Sequence, residues 1–253
     1  MKPLNLVRAM LRPFGYDLRR RHDPYADERR LLDGQAGTIF DVGANVGDVT
    51  AEFRRHFPRA AVHCFEPFAE PFGTLTRRFQ GDPAVRTVQC AVADRSGAAT
   101  FHLNRKDTTN SLLPNAAAAQ EWVSPGKIGA VGSVQVPVVT LEQYCREQSI
   151  EQIDLLKIDV QGGEMMVLRG AEALLARSAV SLIYAEALFV PLYEGQAWFH
   201  ELAAHLAARG YALFNLYEMK HGRGLPQLLW ANALFVSEAV RSAAMKAAQM
   251  VRP

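Results

Sequence analysis

The chain has 253 residues, 49% of them hydrophobic, which suits one large α/β domain with some decoration. A formal net charge of +2 excludes a chain that advertises nucleic-acid binding by charge alone. No run of about eighteen apolar residues occurs, which excludes a transmembrane helix.

Residues 1–36 read as a helical appendage to a domain spanning 37–253. Leu4, Val7, Leu11 and Phe14 recur at helical spacing, and Lys2, Arg8, Arg12 and Arg19 to Arg21 add positive charge. The favoured reading is a short helix packed on the domain and interrupted at Pro13. The other is a weak membrane-surface or partner helix. The start lacks the apolar core and cleavage site of a signal peptide.

From residue 38 strands and helices alternate. Strands are expected at 38–42, 61–65 and 85–89, the last running on to Ala91-Val92-Ala93-Asp94, with helices at 46–56 and 68–80. A further strand covers 99–103. A polar segment, 104–133, follows with Thr108-Thr109-Asn110-Ser111 and three glycines; segments of this length are usually functional or disordered. Then come a strand at 134–139, a helix at 141–148 capped by Thr140, a strand at 154–159, a helix at 164–176, and a strand at 181–185 ending at Glu186. A helix at 198–209 ends at Gly210. A late strand pair, 212–216 and 229–236, precedes a helical tail from Glu238. The element order predicts a mostly parallel seven-stranded sheet with one antiparallel strand and helices on both faces.

The first strand stops at Asp41 and enters Val42-Gly43-Ala44-Asn45-Val46-Gly47; the second delivers Glu66-Pro67. In open α/β sheets the ligand crevice lies at the carboxyl ends of the strands. A dinucleotide fingerprint needs a second glycine where Asn45 stands, and no phosphate loop occurs elsewhere. A ligand with a ribose but no phosphate fits better, and S-adenosylmethionine is the obvious one. Glu66 offers two acceptor oxygens for the ribose hydroxyls, and Asp41 could receive the ammonium directly or through water. Pro67 and Phe68 give apolar surface beside an adenine, and Ala91 opens the segment at the third strand end. Asp94 is placed to accept from the adenine amino group, or is simply a turn residue. An ordinary βαβ unit with packing glycines is the bland alternative.

Leu155-Leu156-Lys157-Ile158-Asp159-Val160-Gln161-Gly162-Gly163-Glu164 is the second motif. Lys157 and Asp159 lie two apart and share a strand face. They either form an ion pair or orient and deprotonate an acceptor hydroxyl, with Asp159 the first candidate base and Glu186 the second. Glu164 opens its helix, where a carboxylate favours the dipole. His63, His102 and His205 show no paired ligand spacing, and no zinc motif or octahedral acid set is fixed, so no metal ligand is assigned. Cys64, Cys90 and Cys145 lack metal or redox spacing, which suggests a reducing cytoplasm, peripheral to the inner membrane surface if the N-terminal helix binds there.

Phe40 to Gly47, Phe65-Glu66-Pro67, Ala91 to Asp94 and Leu156 to Glu164 resemble the FkbM family of S-adenosylmethionine-dependent methyltransferases from about 37 to 189. The element order is also the class I methyltransferase (Rossmann-like) arrangement. The resemblance implies methylation of a hydroxyl oxygen on a small molecule, polyketide-like or sugar. It implies Asp41, Gly43, Asn45, Gly47 and Glu66 as cofactor residues, and Lys157 and Asp159 as the motif closest to chemistry. Gln161 departs from the usual D-V-E-G-x-E pattern, so a carboxylate role there is lost, while Glu164 keeps the second acid. The basic N-terminal segment is similar to that of members linked to surface-glycan synthesis, which favours a sugar. The expectation is therefore an O-methyltransferase acting on a glycan or secondary metabolite, with 104–133 closing over the acceptor. The alternatives are an inactive cofactor-binding scaffold, favoured by Gln161, and an RNA ribose 2'-O-methyltransferase, disfavoured by the near-neutral charge.

Overall fold

The structure is a computed structural model that describes residues 7, 10–14, 22–124, 126–222 and 224–250. Most of the expected N-terminal amphipathic segment, including Lys2, Leu4, Arg8 and Arg19 to Arg21, lies outside these residues. The described part of the appendage contains helix α1 (Pro24–Leu31), whose N-cap is Asp23. Tyr25 of α1 packs edge-on to Phe53, and Leu31 joins the same apolar cluster.

The central sheet has the order β3-β2-β1-β7-β8-β10-β9. Its strands are β1 (Thr38–Val42), β2 (Ala61–Phe65), β3 (Val85–Val88), β7 (Ile153–Ile158), β8 (Val180–Leu188), β9 (Tyr211–His221) and β10 (Leu228–Ser237). All neighbours are parallel except at β10, which runs antiparallel to β8 and β9. The single antiparallel strand expected from the late strand pair is therefore present.

β1 and β7 sit at the middle and are buried on both faces, as their β-branched and leucine-rich runs require. Their alternate side chains feed two cores. Phe40, Leu156 and Ile158 enter one core with α5 (Leu141–Gln148), α6 (Glu164–Arg169), α7 (Glu172–Ala176) and α8 (Phe199–Ala207). Ile39 and Leu155 enter the other with α2 (Asp48–His56), α3 (Ala69–Phe79) and α9 (Glu238–Met250). The domain is thus a three-layer α/β/α sandwich. Thr140 caps α5 by accepting from the Gln143 N–H at 3.1 Å.

Several elements differ from the sequence reading: the strand expected at 134–139 starts at Ala130 and the one expected at 212–216 runs on to His221, and two differences are larger. The expected run from 85 through Asp94 breaks after Val88, where the Cys90 N–H bonds back to the Val88 carbonyl at 3.1 Å. That tight turn sends β4 (Ala91–Val92) into a second sheet of order β4-β6-β5, with β5 (Gly97–Asn104) and β6 (Ala130–Val139). The expected helix 164–176 is two helices that part at Gly170, which lies so close to the Ala93 carbonyl that a Cβ there would stand 2.1 Å from that oxygen.

The 104–133 segment is built rather than open. It holds a 3₁₀ turn at Asp107–Thr109, a bridge from Ser111 to His102, and α4 (Ala119–Trp122). Asn104 and Asn115 exchange side-chain amide bonds at 2.7 and 3.1 Å, and the Asn110 side chain accepts from the Asn104 N–H at 2.7 Å. Among the described residues no helix is long and apolar enough to cross a membrane.

Candidate active site

The turn after β1 is the floor of the site. The Gly43 and Ala44 N–H groups both donate to the Phe65 carbonyl at 3.0 Å, which fastens the turn to the end of β2. Gly43 has φ of +77°, and a Cβ there would lie 1.9 Å from the Asp159 carbonyl oxygen. Only glycine allows this approach of β1 to the end of β7. Asn45 has φ of +48°, a conformation asparagine tolerates, and its side chain accepts from the Val46 N–H at 2.9 Å. Gly47 also has positive φ and starts α2, packed against Leu75 and Phe79.

Asp41 and Lys157 meet beneath this turn. Asp41 is 0% exposed, and its Oδ2 accepts from Thr50 at 2.7 Å. Lys157 Nζ lies 3.0 Å from Asp41 Oδ1, a charge contact poorly aligned for a hydrogen bond. The same ammonium donates to the Gly43 carbonyl at 2.8 Å. Burial alone lowers the lysine pKa, but Asp41, with Asp159 and Glu186, holds it above the ordinary value. The pair therefore joins β1 to β7 under the turn. Asp41 does not line the cavity, so its carboxylate meets the lysine rather than a ligand ammonium. Lys157 pairs with Asp41, and no ion pair with Asp159 forms within 4.0 Å.

Above the turn opens a cavity of about 950 Å³, its solvent-open mouth included. Gly43, Ala44, Asn45, Glu66, Pro67 and Ala91 line it, as do Lys157 and Asp159. Glu66 is 6% exposed, and each oxygen takes one backbone N–H at 2.9 Å, Asn45 to Oε2 and Phe68 to Oε1. Both oxygens keep a free lone pair for a hydroxyl donor. Cys90, Val92, Phe101 and Leu112 supply an apolar wall. Asp94 stands outside the lining, 3.9 Å from Arg95. Asp107, Thr108 and Asn110 of the long segment add polar groups to the cavity lining.

Burial pushes the Glu66 carboxyl up to about 7, against the pull of the Phe68 and Asn45 N–H groups and Lys157. The folded chain thus holds this proton more tightly than the unfolded one. The group's contribution to stability is full below the ordinary value of 4.5 and is lost as pH rises through about 7. A diol ligand donates to the ionised form, so its affinity has the opposite trend. We expect a ribose-bearing ligand to bind about tenfold more weakly at pH 6 than at pH 8, read by calorimetry. Glu66→Gln should flatten that dependence and keep affinity low throughout.

Beside the cavity, Gln161 gathers the acids. Its Nε2 donates to Asp159 Oδ1 at 2.7 Å and to Glu186 Oε2 at 2.9 Å, and its Oε1 accepts from the Tyr193 hydroxyl at 3.0 Å. The residue holds φ of +56°, and its carbonyl accepts from Ser111 Oγ at 2.7 Å. Burial, then Asp159 and Glu164, raise the Glu186 carboxyl well above the usual carboxylate range. Glu164 Oε1 accepts from the Val160 and Gly162 N–H groups at 3.1 and 3.2 Å, so it braces this turn, and burial raises its carboxyl to about 7. A second hollow of about 640 Å³, its solvent-open mouth included, adjoins the first through Thr108 and Gln161, with Glu186 and Tyr193 in its wall. Among the described residues no group of three or more His, Cys, Asp or Glu side chains is arranged to hold a metal.

Thr50, Asp107 and Tyr193 were not legible as site residues. Thr50 lies in the first turn of an ordinary amphipathic helix, and Tyr193 falls in a loop after β8 with no motif around it. The role of Gln161 was legible only as a lost acid.

The sheet order and the site at its carboxyl edge define a class I S-adenosylmethionine-dependent methyltransferase. The family described as "Methyltransferase FkbM domain" matches residues 41–213. The chain belongs to that family. The 2-O-methyltransferase NoeI of Sinorhizobium fredii is 29% identical over 179 residues, which is 66% of this chain and 69% of that protein. The 31-O-demethyl-FK506 methyltransferase FkbM of Streptomyces tacrolimicus is 32% identical over 155 residues, 53% of this chain and 59% of that protein, so the chain spans less than two thirds of it. Among solved structures, magnesium protoporphyrin IX methyltransferase (ChlM) from Synechocystis PCC 6803 matches at a TM-score of 0.45 and 11% identity, over 94% of this chain and 98% of that one. The residues present fit the cofactor: Glu66 keeps an open lone pair on each oxygen toward the cavity, and the glycine turn has no phosphate cradle.

Proposed function

We propose that this chain is an O-methyltransferase that acts on a hydroxyl of a sugar, glycan or secondary metabolite. The observation that carries the reading is the Asp159–Gln161–Glu186 cluster, which stands where the cofactor cavity meets the second hollow. The names of the two relatives, a 2-O- and a 31-O-methyltransferase, support it.

Glu66 would hold the ribose, with Gly43, Ala44 and Asn45 below it and Pro67 and Ala91 beside the base. When bound, S-adenosylmethionine supplies an electrophilic methyl group on a sulfonium. Asp159 and Glu186 would orient the acceptor hydroxyl, and Asp159 would take its proton as the oxygen gains the methyl group. Gln161 donates one N–H to each acid, so Asp159 at the cofactor cavity and Glu186 at the second hollow can stand close together with less mutual repulsion. Lys157 acts at one remove, through the Gly43 carbonyl and Asp41, and fixes the turn on which the cofactor rests. The three cysteines are buried free thiols, which suits a reducing cytoplasm.

The test is incubation with methyl-labelled S-adenosylmethionine and a panel of hydroxylated sugars and macrolides. Label in an alkali-stable ether is the expected result. Tight cofactor binding with no transfer to any acceptor would favour the inactive scaffold.

A further inference from the structure

The second hollow does not end at Trp230. Val123, Lys127 and Trp230 line it and also line a third hollow of about 850 Å³, its solvent-open mouth included, walled by Trp122, Lys220 and His221. Neighbouring hollows share lining residues, Thr108 and Gln161 at one junction and Val123, Lys127 and Trp230 at the other, so the second and third are read as one trench that runs in series away from the cofactor cavity.

The trench has a distinct charge pattern. Lys106 and Lys127 line its inner part, and Lys127 and Lys220 its outer part. Among the described residues none of these three ammonium groups lies within 4.0 Å of a carboxylate. The carboxylates in the wall are Glu121, exposed at the outer end, and Glu186, already bonded to Gln161. Burial and its acidic neighbours favour the neutral form of Glu186, so the lysines are not offset from that side. Two tryptophans, Trp122 and Trp230, are half-buried in the wall and offer amphipathic faces.

We propose that the trench binds an extended anionic glycan, with the lysines on its carboxylate or phosphate groups and the tryptophans against its sugar rings. This rests on the methyltransferase reading of the adjoining cavity. The hydroxyl to be methylated then lies at the Gln161 end, and the anionic group lies one or more sugar units further out. A glycan fits better than RNA. Three lysines facing one acid-tipped trench make a short counter-charge, whereas nucleic-acid binding uses a wide basic face, and the net charge is only +2.

The test is calorimetric titration of the intact chain with digalacturonate, maltose 1-phosphate and neutral maltose. The charged probes should bind at least about tenfold more tightly than maltose, and the preference should shrink from about 50 to about 500 mM salt. Whichever charged probe binds more tightly decides between carboxylate and phosphate. Lys127→Glu should weaken the charged probes by about tenfold or more, while Lys246→Glu, on the exposed face of α9, should leave them unchanged. Equal affinity for all three probes, or no effect of Lys127→Glu, would overturn the proposal. So would an oligouridylate that binds more tightly than digalacturonate. S-adenosylmethionine is titrated separately: its failure to bind would count against the methyltransferase reading and leave the anion result to be judged alone.

Discussion

Lys157→Met lowers the unfolding free energy by about 3–5 kcal/mol, the usual cost of stripping one partner from a buried ion pair. Asp41 is fully buried, and without the lysine it keeps only the Thr50 hydroxyl. The loss should appear as a lower urea midpoint with an unchanged slope. The double variant Lys157→Met/Asp41→Asn separates the two jobs of the lysine. It removes the orphaned charge, so most of the stability should return. Cofactor affinity should not return, because the Gly43 carbonyl still lacks its donor. Full recovery of both would show that Lys157 serves only as a counter-ion.

Asp159→Asn removes turnover by about 10²–10⁴, the range for loss of a positioned base, and leaves cofactor affinity within about threefold. The substitution is nearly isosteric. The asparagine oxygen can still accept from Gln161 Nε2, so the cluster keeps its shape while losing a basic group. Single-turnover rates and calorimetry read the two effects separately. If Asp159→Asn keeps most of its rate and Glu186→Gln does not, the base is Glu186. The raised carboxyl of Glu186 would then place the acidic limb of its pH–rate profile well above the usual carboxylate range.

The parallel part of the central sheet was legible because its strands are apolar runs separated by amphipathic helices. Glu66 was legible for the same reason: a charged residue directly after Ala61–Phe65 must sit at a strand end. The second sheet was not. Its two-residue strand β4 is too short to show a period, and the turn at Cys90 that creates it is a backbone bond with no residue signature. Lys157 shows the limit most clearly. Strand geometry puts it on the Asp159 face, yet the side chain turns to the Gly43 carbonyl and Asp41 on the neighbouring strand. Register between β1 and β7 sets Asp41 opposite Lys157, and register is a tertiary fact.

The contacts of the 107–111 stretch tie the cavity wall to the acid pair. Ser111 holds the Gln161 carbonyl, and the Tyr193 hydroxyl reaches both Gln161 and the Thr109 carbonyl. Asp107, Thr108 and Asn110 from the same stretch wall the cofactor cavity. Any displacement of that wall would therefore pull on Gln161, which donates to both Asp159 and Glu186. The cavity wall and the acid pair are thus braced by one set of hydrogen bonds, and a change in the wall is felt by the acids.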